Sequence, residues 1–387
     1  MLHVSKIELS QSALKRNILY LRKLVGPKVH LCSVVKGNAY GHGISTFVPM
    51  AEACGVRRFA VFSADEAQDV VNALSHPCDV MIMGPLLGDS TAWAVASGLS
   101  FFVFDVPTLE RALEAALLYQ RPARLHLEIE TGLNRTGLQG ADLELAVALI
   151  RDHPDHLHLE GTCTHFAGAE SVNNYLRIQQ QTERYHLGLT WLMQQGLDPG
   201  LRHVACSAAA FTYPHAHLDL VRFGIAQYGF WPSKETQMSF LMKGDAWAPQ
   251  RRDPLHRVLT WKSNVINVKD VKPGQFLGYG TSYLTDRQQR IAAVPVGYAA
   301  GYSRRLSNVG RVLIRGRRFG VVGVVNMSMM LVDVTEGKDV EVGDEVVLIG
   351  KQKRLNISVA SFSDAAGTLN YEALTKLDGR IPRTVVD

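Results

Sequence analysis

"VHLCSVVKGNAYGHG", residues 29–43, passes from an apolar run into a glycine-rich turn, with one lysine at the junction. The run at 29–35 is short, nearly continuous and bounded by glycines, the pattern of a strand buried on both faces. Residues 44–54 then take up helical spacing. The stretch is therefore read as a first strand–turn–helix unit, and the fold depends on whether that unit recurs. Lys36 itself admits two readings. It is either a strand end surfacing into solvent, or a desolvated amine whose lowered pKa suits a nucleophile or a Schiff base. The segment alone leaves both open.

The unit recurs. Apolar runs follow at 58–63, 79–83, 100–104, 124–130, 157–163, 203–206 and about 217–223. Leu14, Ile18, Leu21 and Val25 lie on one helix face, and 44–54, 64–74, 107–118, 140–151 and 173–196 have similar spacing. Strands alternating with helices imply a parallel sheet. Eight of them imply an α/β fold of the TIM type, a closed (β/α)8 barrel of ~250 residues. From about 231 to 256, Pro232, Pro249, Pro254 and many charges read as a linker. Beyond it, "RVLTWKSNVINV", "RIAAVPVGY", "RVLIRG", "RFGVVGVVNM" and "MMLVDV" are rich in Val and Ile and broken by Gly. The expected domains are a barrel over 11–240 and a smaller, mainly β domain over 241–387.

Composition narrows the function. The chain has 387 residues, 47% hydrophobic, with 41 basic against 36 acidic side chains and a net charge of +5. That mild excess suits small anionic ligands and gives no case for nucleic acid. Cys32, Cys54, Cys78, Cys163 and Cys206 show no CxxC pairing, so neither a disulfide framework nor a metal site is expected. The N-terminal residues lack a signal-like apolar core, and no run nears the ~20 residues of a membrane span. A cytoplasmic protein away from membranes is expected.

In such a barrel the active site lies at the C-terminal ends of the strands. Lys36 follows strand 1, "TGLNR" (131–135) follows strand 5, His165 ends strand 6, Ser207 follows strand 7, and "RFGI" (222–225) ends strand 8. Ser207 and Gly224 stand where barrels often bind phosphate. Ser207 could equally be a simple helix N-cap. A lysine beside a phosphate cradle points to a phosphorylated aldehyde, pyridoxal phosphate (PLP), held as a lysine Schiff base.

Here a family resemblance enters. "VVKGNAYGHG" resembles the PLP-attachment signature of bacterial alanine racemases. The likeness continues through "ETGLNRTG", "GTCTHFAGAE", "VRFGIAQYG", "GYGTSY", "VPVGYAAGY" and "NYEALTKL" over nearly the whole chain. It implies a PLP barrel plus a β domain that residues 1–10 join. It also implies a homodimer with shared active sites and interconversion of L- and D-alanine, the latter for peptidoglycan. By motif, Lys36 would be the Schiff-base lysine and one catalytic base. Tyr279, brought from the other subunit, would be the second, with His165 against it. Arg222 would face the pyridine nitrogen, backed by His203. Tyr40, Ser207, Gly224, Ile225 and Tyr371 would bind the phosphate. Arg135 would contact the cofactor's phenolic oxygen and the substrate carboxylate, shared with the Met327 N–H, and Tyr298 would guard the entrance.

Some positions depart from the family's pattern. Many members carry a carbamylated lysine where this chain has Glu128, so Glu128 is expected to supply the negative charge for Arg135 directly. His126, Glu128 and Glu130 share a strand face if the alternation holds. Cys206, Asn326, Ser328, Ala300 and Gly37 also differ from the usual residues, which leaves a small amino acid such as serine open as substrate. The alternatives are a racemase of another amino acid or a decarboxylase of the same fold, a non-catalytic PLP-binding protein, and a barrel whose lysine is incidental.

Overall fold

The computed structural model describes residues 3–242 and 253–387, the Asp364 side chain excepted. They form two compact units, one of Ala13–Gly37 and Val48–His256, the other of Met1–Ser12, Asn38–Phe47 and Arg257–Asp387.

The first unit is an eight-stranded parallel barrel. Its strands are β1 (His30–Val34), β2 (Arg58–Val61), β3 (Asp79–Ile82), β4 (Ser100–Val103), β5 (Ala123–Glu128), β6 (Leu157–Cys163), β7 (Leu201–His203) and β8 (Leu220–Phe223). They pair in the order β7-β6-β5-β4-β3-β2-β1-β8. The ends of that order meet, since Asp219 N–H donates to Arg202 O (3.1 Å) and Arg222 N–H to Ala205 O (3.0 Å). The closed barrel expected from the alternation is thus the observed fold. All of β4 and β8 is buried, as for strands covered on both faces. The helix Gln11–Val25 buries Leu14, Ile18, Leu21 and Val25, the face its spacing indicated. Each such side chain contributes roughly 2 kcal/mol of burial.

The N-terminal mouth is closed by charge pairing. Arg58 bonds Asp79 at 2.8 Å, Asp79 bonds Arg124 at 2.9 Å, and Arg124 bonds Glu160 at 2.7 Å. Next to Glu160 the β5–β6 register slips between Leu125 and His126, so that Gly161 faces His126. A Cβ on Gly161 would sit 2.6 Å from His126 Nδ1, so the imidazole occupies space that only glycine leaves.

The expected linker is partly helical. Lys234–Met242 form a helix, capped by the Ser233 hydroxyl accepting the Thr236 N–H (3.0 Å). Pro232 and Pro254 flank this helix rather than break it. Residues 243–252, Pro249 among them, lie outside the described residues, and the boundary expected at 240/241 falls within the helix Lys234–Met242.

In the second unit the strands are β9 (Leu259–Asn264), β10 (Asn267–Val271), β11 (Gln289–Val294), β12 (Arg311–Ile314), β13 (Arg317–Val322), β14 (Met330–Asp333), β15 (Glu345–Gln352), β16 (Leu355–Ile357) and, at the two ends of the chain, Ser5–Ser10 and Arg383–Val386. The N-terminal strand Ser5–Ser10 pairs antiparallel with β9 and parallel with Arg383–Val386. The unit is mainly β, with helices Val359–Ala366 and Asn370–Thr375 that the sequence reading did not anticipate.

The turn quoted at the outset is left-handed over five consecutive residues. φ is +63° at Gly37, +52°, +53° and +52° at Asn38, Ala39 and Tyr40, and +76° at Gly41. Each non-glycine there costs ~1–2 kcal/mol. Local bonds hold the shape: Asn38 Oδ1 accepts the Ile44 N–H (2.9 Å), Asn38 O accepts the Gly43 N–H (2.9 Å), and the buried His42 Nδ1 lies 3.0 Å from Tyr40 O. A Cβ on Gly41 would fall 2.0 Å from the Leu374 carbonyl oxygen. Gly41→Ala is therefore expected to cost about 2–4 kcal/mol. A fall in the urea unfolding midpoint reads this out, and an unchanged midpoint would refute the close approach.

Candidate active site

Lys36 stands at the C-terminal rim, two residues past β1. Its side chain reaches solvent, yet the protein around it lowers its pKa, first by desolvation, then by the nearby Arg135 and Arg222, with Glu66 opposing. Its Nζ lies 6.0 Å from the centre of the Phe62 ring. A lysine in these surroundings gives up its proton more readily than a free surface lysine.

Arg222 lies inside the barrel, 4% exposed. Its Nη1 donates to His203 O (2.8 Å) and to His203 Nδ1, and its Nη2 donates to Thr164 O (2.9 Å). The Phe102 ring stands 5.9 Å away. Among the described residues no carboxylate lies within ion-pair distance of it. These contacts fix two protonation states. A guanidinium only donates, so His203 Nδ1 must accept and its proton sits on Nε2. That Nε2 is 2.9 Å from His126 Nδ1, which must then accept in turn. The buried chain Arg222–His203–His126 is thus polarised in one direction, with both imidazoles neutral.

This chain has a consequence for stability. Burial pushes His126 down to about 4, and burial followed by the Arg222 charge pushes His203 well below its ordinary 6.5. Between about pH 6.5 and pH 4 the unfolded state binds more protons than the folded one. Stability therefore falls as pH falls through that window, by up to ~1.4 kcal/mol per pH unit for each histidine. Replacing His126 by Asn should flatten the acid limb of a urea-midpoint profile by about that slope. An unchanged limb would contradict the neutral assignment.

His165 lies two residues past β6 rather than at its end, half-buried, with Nδ1 3.5 Å from Arg222 Nη2. Burial and Arg222 hold it down to about 3. Its carbonyl accepts from Gln181 Nε2 (2.9 Å), which also donates to Thr131 Oγ1 (3.1 Å). One glutamine thus braces the rim segments after β5 and β6.

Glu128 is buried at the end of β5, and its pKa is raised by desolvation against the pull of Thr136, Arg222 and Arg135. Arg135 is exposed in the single chain. Among the described residues no Glu128–Arg135 ion pair forms within 4.0 Å. The charge that Glu128 was expected to supply to Arg135 is therefore not delivered through an ion pair within one chain. Glu130 lies beyond β5, where its carboxylate accepts the Gly132 and Asn134 N–H groups and shapes the turn that carries Arg135.

Ser207 opens the helix Ser207–Thr212, and its Oγ accepts the N–H groups of Gly224 (3.0 Å) and Ala226 (3.4 Å). Between them, the Ile225 N–H has no acceptor among the described residues. Ser207, Gly224 and Ile225 are brought together as expected from the segments after β7 and β8.

The remaining predicted residues belong to the second unit. The rings of Tyr40 and Tyr371 lie 6.0 Å apart. Tyr298 and Met327 are joined, since the Tyr298 N–H donates to Asn326 O and the Ala299 N–H to Met327 O, both at 3.0 Å. A Cβ on Gly297 would fall 2.0 Å from Asn326 O, so this junction requires glycine. The Met327 N–H has no acceptor among the described residues. Tyr279 is 74% exposed, between Gly278 and Gly280, both at φ +71°. No single-chain packing accounts for that ring.

Two residues with contacts at the site escaped the sequence reading in these roles. His126 was noted only as sharing a strand face with Glu128. Glu66, in the first turn of helix Ala64–Ala73, bonds the backbone beside Lys36. The signal for His126 was a histidine inside an apolar strand; for Glu66 there was none beyond an acid at a helix start. Among the described residues no three His, Cys, Asp or Glu side chains converge as metal ligands do, and no helix is long and apolar enough to cross a membrane.

Known proteins share this arrangement. The family profile described as "Alanine racemase, N-terminal domain" matches residues 9–232, and "Alanine racemase, C-terminal domain" matches residues 258–385. The alanine racemase of Symbiobacterium thermophilum is 38% identical over 379 residues, 97% of this chain and 95% of that one. The structure of alanine racemase from Streptomyces coelicolor A3(2) superposes with a TM-score of 0.90 at 33% identity, covering 99% of this chain and 98% of that one. The Bacillus anthracis enzyme, solved with bound L-Ala-P, gives a TM-score of 0.90 at 29% identity over 100% and 96% of the two chains. Likeness of this extent, covering both the barrel with its rim lysine and the β unit with its exposed tyrosine, means that the chain belongs to the alanine racemase family.

Proposed function

We propose that this chain interconverts L- and D-alanine with PLP, in the cytoplasm, supplying D-alanine for peptidoglycan. The observation that carries the reading is Lys36, a rim lysine of lowered pKa set among Arg135, Arg222 and His165. The donors around it fit the cofactor. Lys36 offers an amine to its aldehyde, and Ser207 a hydroxyl proton and Ile225 a free N–H to its phosphate beside Gly224; the family resemblance would add the phenols of Tyr40 and Tyr371. When bound, PLP supplies an electron sink that acidifies the α-hydrogen of an amino acid.

Lys36 removes or returns that hydrogen on one face. Inversion needs a second base on the opposite face, and Tyr279 of the partner subunit in a head-to-tail homodimer serves there, beside His165. Its exposure in the single chain supports this role. Arg222, donor-only and held by His203, would offer the ring nitrogen of PLP a hydrogen bond and no proton, which would favour return of the proton to the α-carbon over transamination. By the family resemblance, Arg135 and the Met327 N–H would hold the substrate carboxylate and Tyr298 of the partner subunit would narrow the entrance, while Glu128 would set the charge balance around the arginines.

Full-length chain with PLP, offered L-alanine, L-serine and L-lysine separately in a chiral assay, is expected to yield D-alanine fastest. Faster racemisation of another substrate would change the name of the reaction and keep its chemistry. No D-product from any would overturn the reading. Glu128→Gln is expected to lower kcat/KM for alanine about tenfold, by loss of ~1.4 kcal/mol of charge stabilisation. Unaltered kinetics would remove Glu128 from the site.

A further inference from the structure

The Glu66 carboxylate meets two backbone N–H groups at once. Its Oε1 accepts the Gly37 N–H at 2.5 Å, and its Oε2 accepts the Phe62 N–H at 3.0 Å. Gly37 follows Lys36 and begins the left-handed run. Phe62 follows β2, and its ring lies 6.0 Å from the Lys36 amine. One half-buried side chain therefore ties together the ends of two neighbouring barrel strands, β1 and β2, around the lysine. Its place in the first turn of helix Ala64–Ala73 favours a carboxylate.

We propose that Glu66 is the positioning residue of Lys36, fixing the backbone on which the lysine stands and supplying its counter-charge. This rests on the reading of Lys36 as the attachment lysine and base. The charged groups acting on Lys36 are the guanidiniums of Arg135 and Arg222, which drive its proton off, and Glu66, which retains it. A base that works in both directions must take a proton and hold it long enough to return it. With both guanidiniums acting on it and without Glu66, the amine would hold it poorly. Aspartate is one methylene too short to span both N–H groups. Glutamine keeps an acceptor for one of them but loses the charge.

The test uses the full chain freed of PLP. Trace acetylation with acetic anhydride across pH, with the Lys36 peptide quantified by mass spectrometry, gives the midpoint at which the amine becomes reactive. In Glu66→Gln that midpoint should fall by ~1 pH unit, so that Lys36 labels about tenfold faster below both midpoints. In Glu66→Asp it should stay near the wild-type value. With PLP bound, the alkaline-rising limb of kcat, which reports the substrate complex in which Lys36 is a free amine, should move down by the same ~1 unit in Glu66→Gln. An unchanged midpoint in Glu66→Gln, or an equal shift in Glu66→Asp, would overturn the proposal. Should Glu66→Gln lack the wild-type circular dichroism, Glu66→Met serves the same comparison. Borohydride reduction of the PLP-loaded wild type tests the underlying reading separately. Cofactor fixed elsewhere than Lys36 would sink that reading, while the labelling result would still report on Glu66 and Lys36.

Discussion

Tyr279→Phe is expected to lower alanine racemisation by about 10³-fold while leaving α-hydrogen exchange with solvent intact for one enantiomer. The asymmetry follows from the two faces of the α-carbon. With Lys36 in place, the enantiomer whose hydrogen points to the lysine still loses and regains it, now on the same face. The other enantiomer loses its only base. Each enantiomer in D2O, followed separately by NMR, reads this directly. The Tyr279 ring is 74% exposed, so loss of its hydroxyl should change folding stability by less than ~0.5 kcal/mol. Equal loss of exchange from both enantiomers would mean that Tyr279 supports the site without acting as a base.

Lys36→Ala is expected to reduce both exchange and inversion by about 10⁴-fold or more, since one side chain is asked to be both cofactor anchor and base. The variant should fold, because the lysine side chain reaches solvent and makes no ion pair within 4.0 Å among the described residues. It should also lose PLP on dialysis where the wild type retains it. Methylamine, which replaces the missing amine, should restore part of the activity in proportion to its concentration. Retained activity without added amine would require another attachment residue.

The barrel was legible because its strands are buried on both faces. Runs such as Phe101–Val103 carry no polar residue to hide the pattern, and helices such as Gln11–Val25 are long enough to show their period. Shorter elements were not legible. The helix Ser90–Ala96 spans too few turns to display a stripe, and Lys234–Met242 lay among prolines that flank it without entering it. The left-handed turn was signalled only by its glycines, while Asn38, Ala39 and Tyr40 take positive φ within a set of bonds among residues 38–44 that no periodicity announces.

At the site, the rim positions of Lys36, Ser207 and Arg222 followed from counting strands. The direction of the Arg222–His203–His126 chain did not, because it depends on contacts between residues 77 and 19 positions apart in sequence. Arg135 shows the limit from the other side. Its pairing with Glu128 was expected from sequence, yet in the single chain Arg135 lies exposed and that pair does not form.

The most direct measurement is the isotopic content of the first D-alanine formed from unlabelled L-alanine in D2O by wild-type chain with PLP. Two bases on opposite faces predict that this product carries solvent deuterium at the α-carbon from the earliest time points, while the remaining L-alanine is still largely protonated. D-alanine that retains the original α-hydrogen would show one group carrying it across, and would contradict the assignment of Lys36 and Tyr279 to opposite faces.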